Sequence, residues 1–250
     1  MTESNPSAFI NVCGRNLEYR RIGAAAAGGP TMVFLHEGLG SIGQWRDFPE
    51  CVAEAIGLPA MVYARYGHGQ SEVLRQPHGV DFMHREALET LPELLRALGI
   101  ARPILIGHSD GASIALIYAG AGHPLQCLVV MAPHVFVEDI SIESIIAAKT
   151  TFESTDLPQK LARYHRDPLK TFYGWNDVWL APAFRAWNIE SVLPAIHCPL
   201  LAVQGHEDEY GSMAQVDAIA RRAGGPVEVL KLDRCGHAPQ KDKPEIVVGA

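Results

Sequence analysis

Basic residues are not gathered anywhere in this sequence: 21 lysines and arginines are scattered among 28 aspartates and glutamates, for a formal net charge of −7. A phosphate-backbone partner normally needs a clustered basic face, so no nucleic-acid partner is expected. Long apolar runs are also missing. None approaches the roughly 20 residues that span a bilayer, so no membrane partner is expected. The five cysteines (Cys13, Cys51, Cys127, Cys198 and Cys235) are an odd number without CxxC spacing, which argues against a disulfide framework and for reduced thiols in a cytoplasm. Residues 1–8 are polar and lack the basic start and apolar stretch of a secretory signal, again suggesting a cytoplasmic protein. Eleven histidines are present, none in an HExxH or paired-ligand spacing, so no metal site is expected. There is no internal repeat, and the one low-complexity stretch is a short turn at residues 24–29.

What remains is an ordinary globular balance, 48% hydrophobic and 20% charged, in a chain of 250 residues. That length suits one large domain with a sizeable core, or one domain carrying an insertion. Residues 9–13 and 17–22 read as an antiparallel hairpin around a turn at 14–16. Short apolar runs then follow at 32–35, 61–64, 104–106, 128–131, 200–203 and 227–232. Such runs suit parallel strands covered on both faces. Between them, residues 85–98 carry Leu88, Leu91, Leu94, Leu95 and Leu98 at helical spacing and stop at Gly99, and residues 109–120 are apolar enough for a buried helix. Alternating strands and helices imply a mostly parallel, doubly wound α/β sheet.

The alternation breaks between residues 134 and 197. Residues 141–152 and 157–165 look helical, and the interval holds Tyr164, Phe172, Tyr173, Trp175, Trp179, Phe184 and Trp187. It reads as a helical lid inserted after the sixth core strand, with 1–133 and 198–250 together forming the core.

The strongest chemical signal is Gly107-His108-Ser109-Asp110-Gly111, directly after an apolar strand and before a helix. A G-x-S-x-G in that setting is a nucleophile elbow, a serine on a strained turn flanked by glycines that let strand and helix approach. The bland alternative is a chance glycine-rich turn. A serine needs a base, and the base an orienting acid. Asp208 and His237 each follow a predicted strand at its C-terminal end, where open parallel sheets place their sites. Singly, Asp208 reads equally as a solvated turn acid and His237 as a loop histidine, but three strand ends in the order Ser, Asp, His favour the catalytic set. Glu138 and Asp139, after the sixth strand, are the other candidate acids. An oxyanion hole needs backbone N–H donors. One is expected from Asp110, next to the nucleophile at a helix start, and the other from the loop His36-Glu37-Gly38-Leu39-Gly40-Ser41.

These landmarks, with Phe34-Leu35-His36 and Tyr66-Gly67-His68-Gly69-Gln70-Ser71, make the chain resemble an α/β-fold hydrolase of the bacterial serine esterase type over nearly its full length. The resemblance implies cofactor-free hydrolysis of an ester-like bond through an acyl-enzyme, acting on a small-molecule substrate. It places the second oxyanion donor on Gly38, with Leu39 as the fallback. A carbon–carbon bond hydrolase of ring-cleavage products, or a ligand-binding member of the same fold, would carry the same three residues; the first of these predicts an arginine reaching the pocket beside a tryptophan. Three departures stand out. Glu37 replaces a glycine common in relatives, Tyr66 stands where an arginine is frequent, and little chain follows His237, so the last helix is expected to be short or truncated. Glu37 is expected to turn its carboxylate away from the hole, held by a cation such as Arg65. The aromatic insert suggests an apolar or aryl substrate, with His36, His134, Trp175 and Trp179 as substrate-binding candidates. Arg163, His165, Arg166 and Arg185 read as solvated surface.

Overall fold

The computed structural model describes residues 6–24 and 29–250, so positions 25–28 of the turn expected at 24–29 and positions 1–5 of the polar start lie outside the described residues. Eight strands form one sheet: β1 (Ala8–Val12), β2 (Arg15–Ile22), β3 (Thr31–Leu35), β4 (Ala60–Tyr63), β5 (Pro103–His108), β6 (Cys127–Met131), β7 (Leu200–Gly205) and β8 (Val227–Leu232). Their order is β1-β2-β4-β3-β5-β6-β7-β8. The β1–β2 hairpin and the β2–β4 pair are antiparallel, and every later pair is parallel.

The central strands are apolar throughout because both faces are covered. Successive side chains alternate, so Val33, Leu35, Met61 and Val130 enter one core while Met32, Phe34, Val62 and Met131 enter the other. The first core is closed by α3 (Leu91–Leu98), α4 (Asp110–Gly120), α8 (Ala214–Arg222) and aromatic residues of the insert; the second by α1 (Phe48–Ile56) and α10 (Pro244–Gly249). A short α9 (Pro239–Asp242) precedes α10.

The single helix expected at 85–98 is broken. A short α2 (Phe82–Arg85) leads into a π-turn over Glu86–Thr90 and then α3. Pro92, at the start of α3, has no N–H to continue the regular ladder. The wider turn rotates Leu88 out to 44% exposure and brings Glu86, Ala87 and Thr90 inside.

Between β6 and β7 the chain forms α5 (Asp139–Ser154), α6 (Leu157–Leu161), α7 (Pro168–Leu180) and two 3₁₀ turns, Pro182–Ala186 and Glu190–Ala195. Helix α7, which carries Trp175 and Trp179, was not expected from the sequence. Asp167 caps it, accepting from Lys170 N at 3.0 Å, and Pro168 occupies its first turn.

Candidate active site

Strand β5 ends in the turn that presents Ser109. Its backbone sits at φ 54°, ψ −120°, a conformation that costs a non-glycine residue energy and is held here by the Ser109 N–H bond to Met131 O (2.9 Å). The flanking glycines are required by space. A Cβ on Gly111 would strike the Leu35 carbonyl, and one on Gly107 would come within 2.6 Å of Ala112 Cα. Small residues thus let α4 start directly above the sheet, and the Asp110 N–H has no acceptor among the described residues.

Asp208 and His237 come from the loops after β7 and β8, 99 and 128 positions beyond the serine, and reach it because the parallel strands align their carboxyl ends.

 The three side chains meet. His237 Nε2 lies 2.9 Å from Ser109 Oγ, and His237 Nδ1 lies 2.8 and 3.0 Å from the two Asp208 oxygens. These partners fix the tautomer: Nδ1–H donates to Asp208, leaving Nε2 to accept the serine proton. Asp208 is further held by the N–H groups of Tyr210 (2.8 Å) and Gly211 (3.3 Å) and by Gln204 Nε2 (2.7 Å). Burial works against its charge, but the hydrogen bond and charge of His237 and the Tyr210 N–H together outweigh it and hold the carboxyl below its ordinary value. The alternative acids are engaged elsewhere. Glu138 accepts from Ser212 and Gln215, and the exposed Asp139 pairs with Arg185 at 2.6 Å.

His108 braces this arrangement from behind. Its Nε2–H donates to the His237 carbonyl (2.6 Å), and its Nδ1 faces Gln240 Nε2 at 3.0 Å. Sequence reasoning missed His108, Gln204 and Gln240. His108 and Gln204 are polar residues on apolar strands, a signal that marks a buried hydrogen-bonding role without saying which, while Gln240 lies in the short helix α9.

Two expectations about the loop after β3 need correcting. His36 is not among the residues that line the cavity around Ser109: it is fully buried, its Nε2 accepts from Arg65 N (3.0 Å), and its Nδ1–H donates to Glu37 O (2.7 Å). Arg65 does not hold the Glu37 carboxylate either; its guanidinium donates to the backbone carbonyls of His36 and Glu37. The carboxylate instead lies 3.5 Å from His108 Nδ1 and 3.9 Å from Lys241 Nζ. Burial opposes its ionisation, yet the contacts with His108 and the Lys241 charge hold it well below the ordinary carboxylate range. Residue Glu37 is also among those that border the cavity above Ser109.

That cavity, about 110 Å³, is lined by Leu39, Ile145, Trp175, Trp179, Tyr210 and His134 around Ser109 and His237. A Cβ on Gly38 would collide with the Trp175 indole, so only glycine admits the ring there. His134, Trp175 and Trp179 therefore come together beside the serine, while His36 does not. His165, read as a surface group, and His134 are both 3% exposed. Burial pushes His134 down to about 3, because the neutral ring is favoured away from water. Asp110 adds a carboxyl that the sequence reading used only for its N–H. Trp179 Nε1 donates to its Oδ1 at 3.2 Å, its Oδ2 has no partner, and burial pushes it up to about 6. No arginine or lysine among the described residues lines this cavity. A larger polar cavity of about 410 Å³, lined by Arg15, Tyr66, His78 and Phe82 among others, includes none of Ser109, Asp208 and His237.

A serine hydroxyl bonded to an imidazole that is held by a carboxylate is an arrangement in which the ring can take the hydroxyl proton. The fold and this geometry define a hydrolase class. A family model described as the alpha/beta hydrolase family matches residues 32–250, and the chain belongs to that family. The human serine hydrolase BPHL is 27% identical over 236 residues, spanning 88% of this chain and 76% of its own. Among solved structures, 2-hydroxy-6-oxo-6-phenylhexa-2,4-dienoate hydrolase (BphD) from Rhodococcus sp. strain RHA1 superposes with a TM-score of 0.82 at 14% identity, covering 99% of this chain and 96% of that one. The enol-lactonase from Burkholderia xenovorans LB400 gives 0.74 at 18% identity, covering 97% of each chain. At these identities the two structures share the fold with this chain, and the fold does not fix the substrate.

Proposed function

We propose that this protein is a serine hydrolase that cleaves a carboxylic ester-like bond of a small apolar or aryl substrate through an acyl-enzyme. The observation that carries the reading is the unbroken chain Ser109–His237–Asp208, with contacts of 2.9 Å and 2.8 Å. In this reading His237 takes the Ser109 proton as Oγ attacks the carbonyl carbon. The oxyanion forms against the N–H groups of Asp110 and Gly38, with Leu39 adjacent. His237 then returns the proton to the leaving alcohol, and water repeats the cycle to release the acid. Asp208 keeps Nε2 free and stabilises the imidazolium that forms. The insert between β6 and β7 acts as a lid, its Trp175 and Trp179 giving the acyl group an apolar wall. The five free thiols support a reducing, cytoplasmic setting.

Carbon–carbon cleavage of ring-fission products is the weaker reading. Those substrates carry carboxylates, and the cavity is bordered by the acidic residues Glu37 and Asp110 and by no arginine or lysine among the described residues. A panel of aryl and alkyl esters against wild type and Ser109→Ala tests the proposal. Turnover of short aryl esters, abolished in the variant, is expected. Steady binding of such esters without turnover would indicate a binding protein of the same fold instead.

A further inference from the structure

The loop after β3 has an unusual set of anchors. Four consecutive carbonyls, those of residues 36–39, each lie within hydrogen-bond distance of a side-chain nitrogen outside the loop. Arg65 Nη1 donates to His36 O and Arg65 Nη2 to Glu37 O (3.0 Å), His68 Nε2 faces Gly38 O (2.9 Å) more closely than its Nδ1 faces Tyr66 O (3.1 Å), and His165 Nε2 faces Leu39 O (2.9 Å). The first two anchors, Arg65 and His68, lie in the loop after β4, which ends at Tyr63. The third comes from the insert, between α6 and α7.

The His165 contact has a defined direction. Its Nδ1 accepts from Gly69 N (2.9 Å), a backbone donor, so the hydrogen of the neutral ring is on Nε2 and points at Leu39 O. Burial favours that neutral ring, and the groups facing it are Leu39 O, Gly69 N, the Glu37 charge and the His68 ring at 6.1 Å. Neighbouring contacts dock the same stretch on the core: Arg166 N to Gly69 O (2.9 Å) and Thr171 Oγ1 to Gly67 O (2.6 Å).

Peptide planarity converts these anchors into aim. In a trans peptide, the C=O of one residue and the N–H of the next point in opposite directions, and no cis bond occurs among the described residues. Holding Glu37 O on Arg65 therefore turns the Gly38 N–H away from Arg65, and holding Gly38 O on His68 turns the Leu39 N–H away from His68. Neither N–H has an acceptor among the described residues, and both residues border the cavity with Ser109. His165 fixes the last peptide of the same turn, which the Gly40 N–H to Glu37 O bond (3.0 Å) closes.

We propose that Arg65, His68 and His165 are positioning residues that aim the Gly38 and Leu39 N–H groups at the oxyanion, and that His165 makes this aim depend on the insert being docked. The inference rests on Ser109 being the nucleophile. A preorganised donor acts only if it already points where charge will develop, and a hole whose last anchor belongs to the insert is complete only when the insert is seated.

The test separates His165→Asn from His165→Gln. A glutamine amide reaches the Nε2 position and can still donate to Leu39 O, whereas asparagine reaches only the Nδ1 position. Each variant is assayed with an aryl ester and with an aryl trifluoromethyl ketone, whose hydrate-free adduct on Ser109 carries the oxyanion, against the unreactive methyl ketone. His165→Asn is expected to lose about 10-fold or more in kcat and in trifluoromethyl ketone affinity, with KM and methyl ketone affinity within about twofold; His165→Gln should recover most of the loss. Exchange of the Gly40 amide should quicken in His165→Asn and not in His165→Gln. Arg65→Lys, which keeps the charge but cannot bridge two carbonyls, should show the same selective loss. A folded His165→Asn with wild-type kcat and ketone affinity would overturn the inference, as would losses equal in both His165 variants or confined to KM. A wild type that neither turns over esters nor binds the trifluoromethyl ketone at Ser109 would instead overturn the hydrolase reading.

Discussion

The indole N–H of Trp179, on the insert, donates to Asp110 Oδ1, on the residue after the nucleophile, at 3.2 Å, while Oδ2 of the same carboxyl is buried without a partner. Burial raises this carboxyl from 3.8 to about 6. The sign follows from linkage. Between those values the folded state holds a proton that the unfolded state has released, so stability falls as pH rises from about 4 to about 6, and the cost persists above. Asp110→Asn keeps an acceptor for Trp179 and removes the charge. It is expected to raise the melting temperature by a few degrees at pH 8 and by little at pH 4, at about 1.4 kcal/mol per pKa unit. Thermal unfolding at the two pH values checks this, and an equal change at both would contradict it.

The buried histidines act with the opposite sign. His36 and His68 are held well below 6.5, His78 is lowered to about 4 and His134 to about 3, in each case first by burial. Such groups stabilise the fold fully above about 6.5 and progressively less below it, because only the unfolded state takes up protons there. Four such groups outweigh one aspartate. Urea midpoints are expected to drop steadily from pH 7 to pH 5, and His78→Gln should make that drop shallower.

Asp208→Asn should reduce kcat by about 10⁴, the size of the tautomer effect in serine proteases. Asp139→Asn, which removes only a surface pair with Arg185, should leave kcat within about twofold. Steady-state kinetics on the two variants decides the acid; a crippling Asp139→Asn would move it to the sixth strand.

Much of this was legible beforehand because the signals were periodic or punctuated. All eight strands stand within a few residues of their expected positions, since short apolar runs between turn residues have few other ways to be buried. The positions of Ser109, Asp208 and His237 could be read because each follows such a strand. Helix α7 was not legible: its aromatic residues are buried against both the core and α5, which leaves no polar face to reveal a helical period. The Asp167-Pro168 start was the available signal. The anchors Arg65, His68 and His165 were hidden for another reason. They act on backbone carbonyls up to 126 positions away, and a carbonyl leaves no mark in the sequence.

Glu37→Gln should lower kcat by about 10-fold with KM nearly unchanged, because the carboxylate sits between His108 and Lys241 and bears on the two loops that carry the donor and the base. Kinetics on several esters checks this. A variant that changes substrate preference rather than kcat would show that Glu37, which borders the cavity, recognises substrate.

Activation of Ser109 as a nucleophile is read without intermediaries by covalent labelling. Wild type, Ser109→Ala and His237→Ala are each treated with an activated alkyl phosphonate, and the adduct is located by peptide mass mapping. One adduct per chain on Ser109 of wild type is expected, none in Ser109→Ala, and labelling slowed by at least about 10³ in His237→Ala. Labelling at another residue, or equal labelling with and without His237, would contradict it.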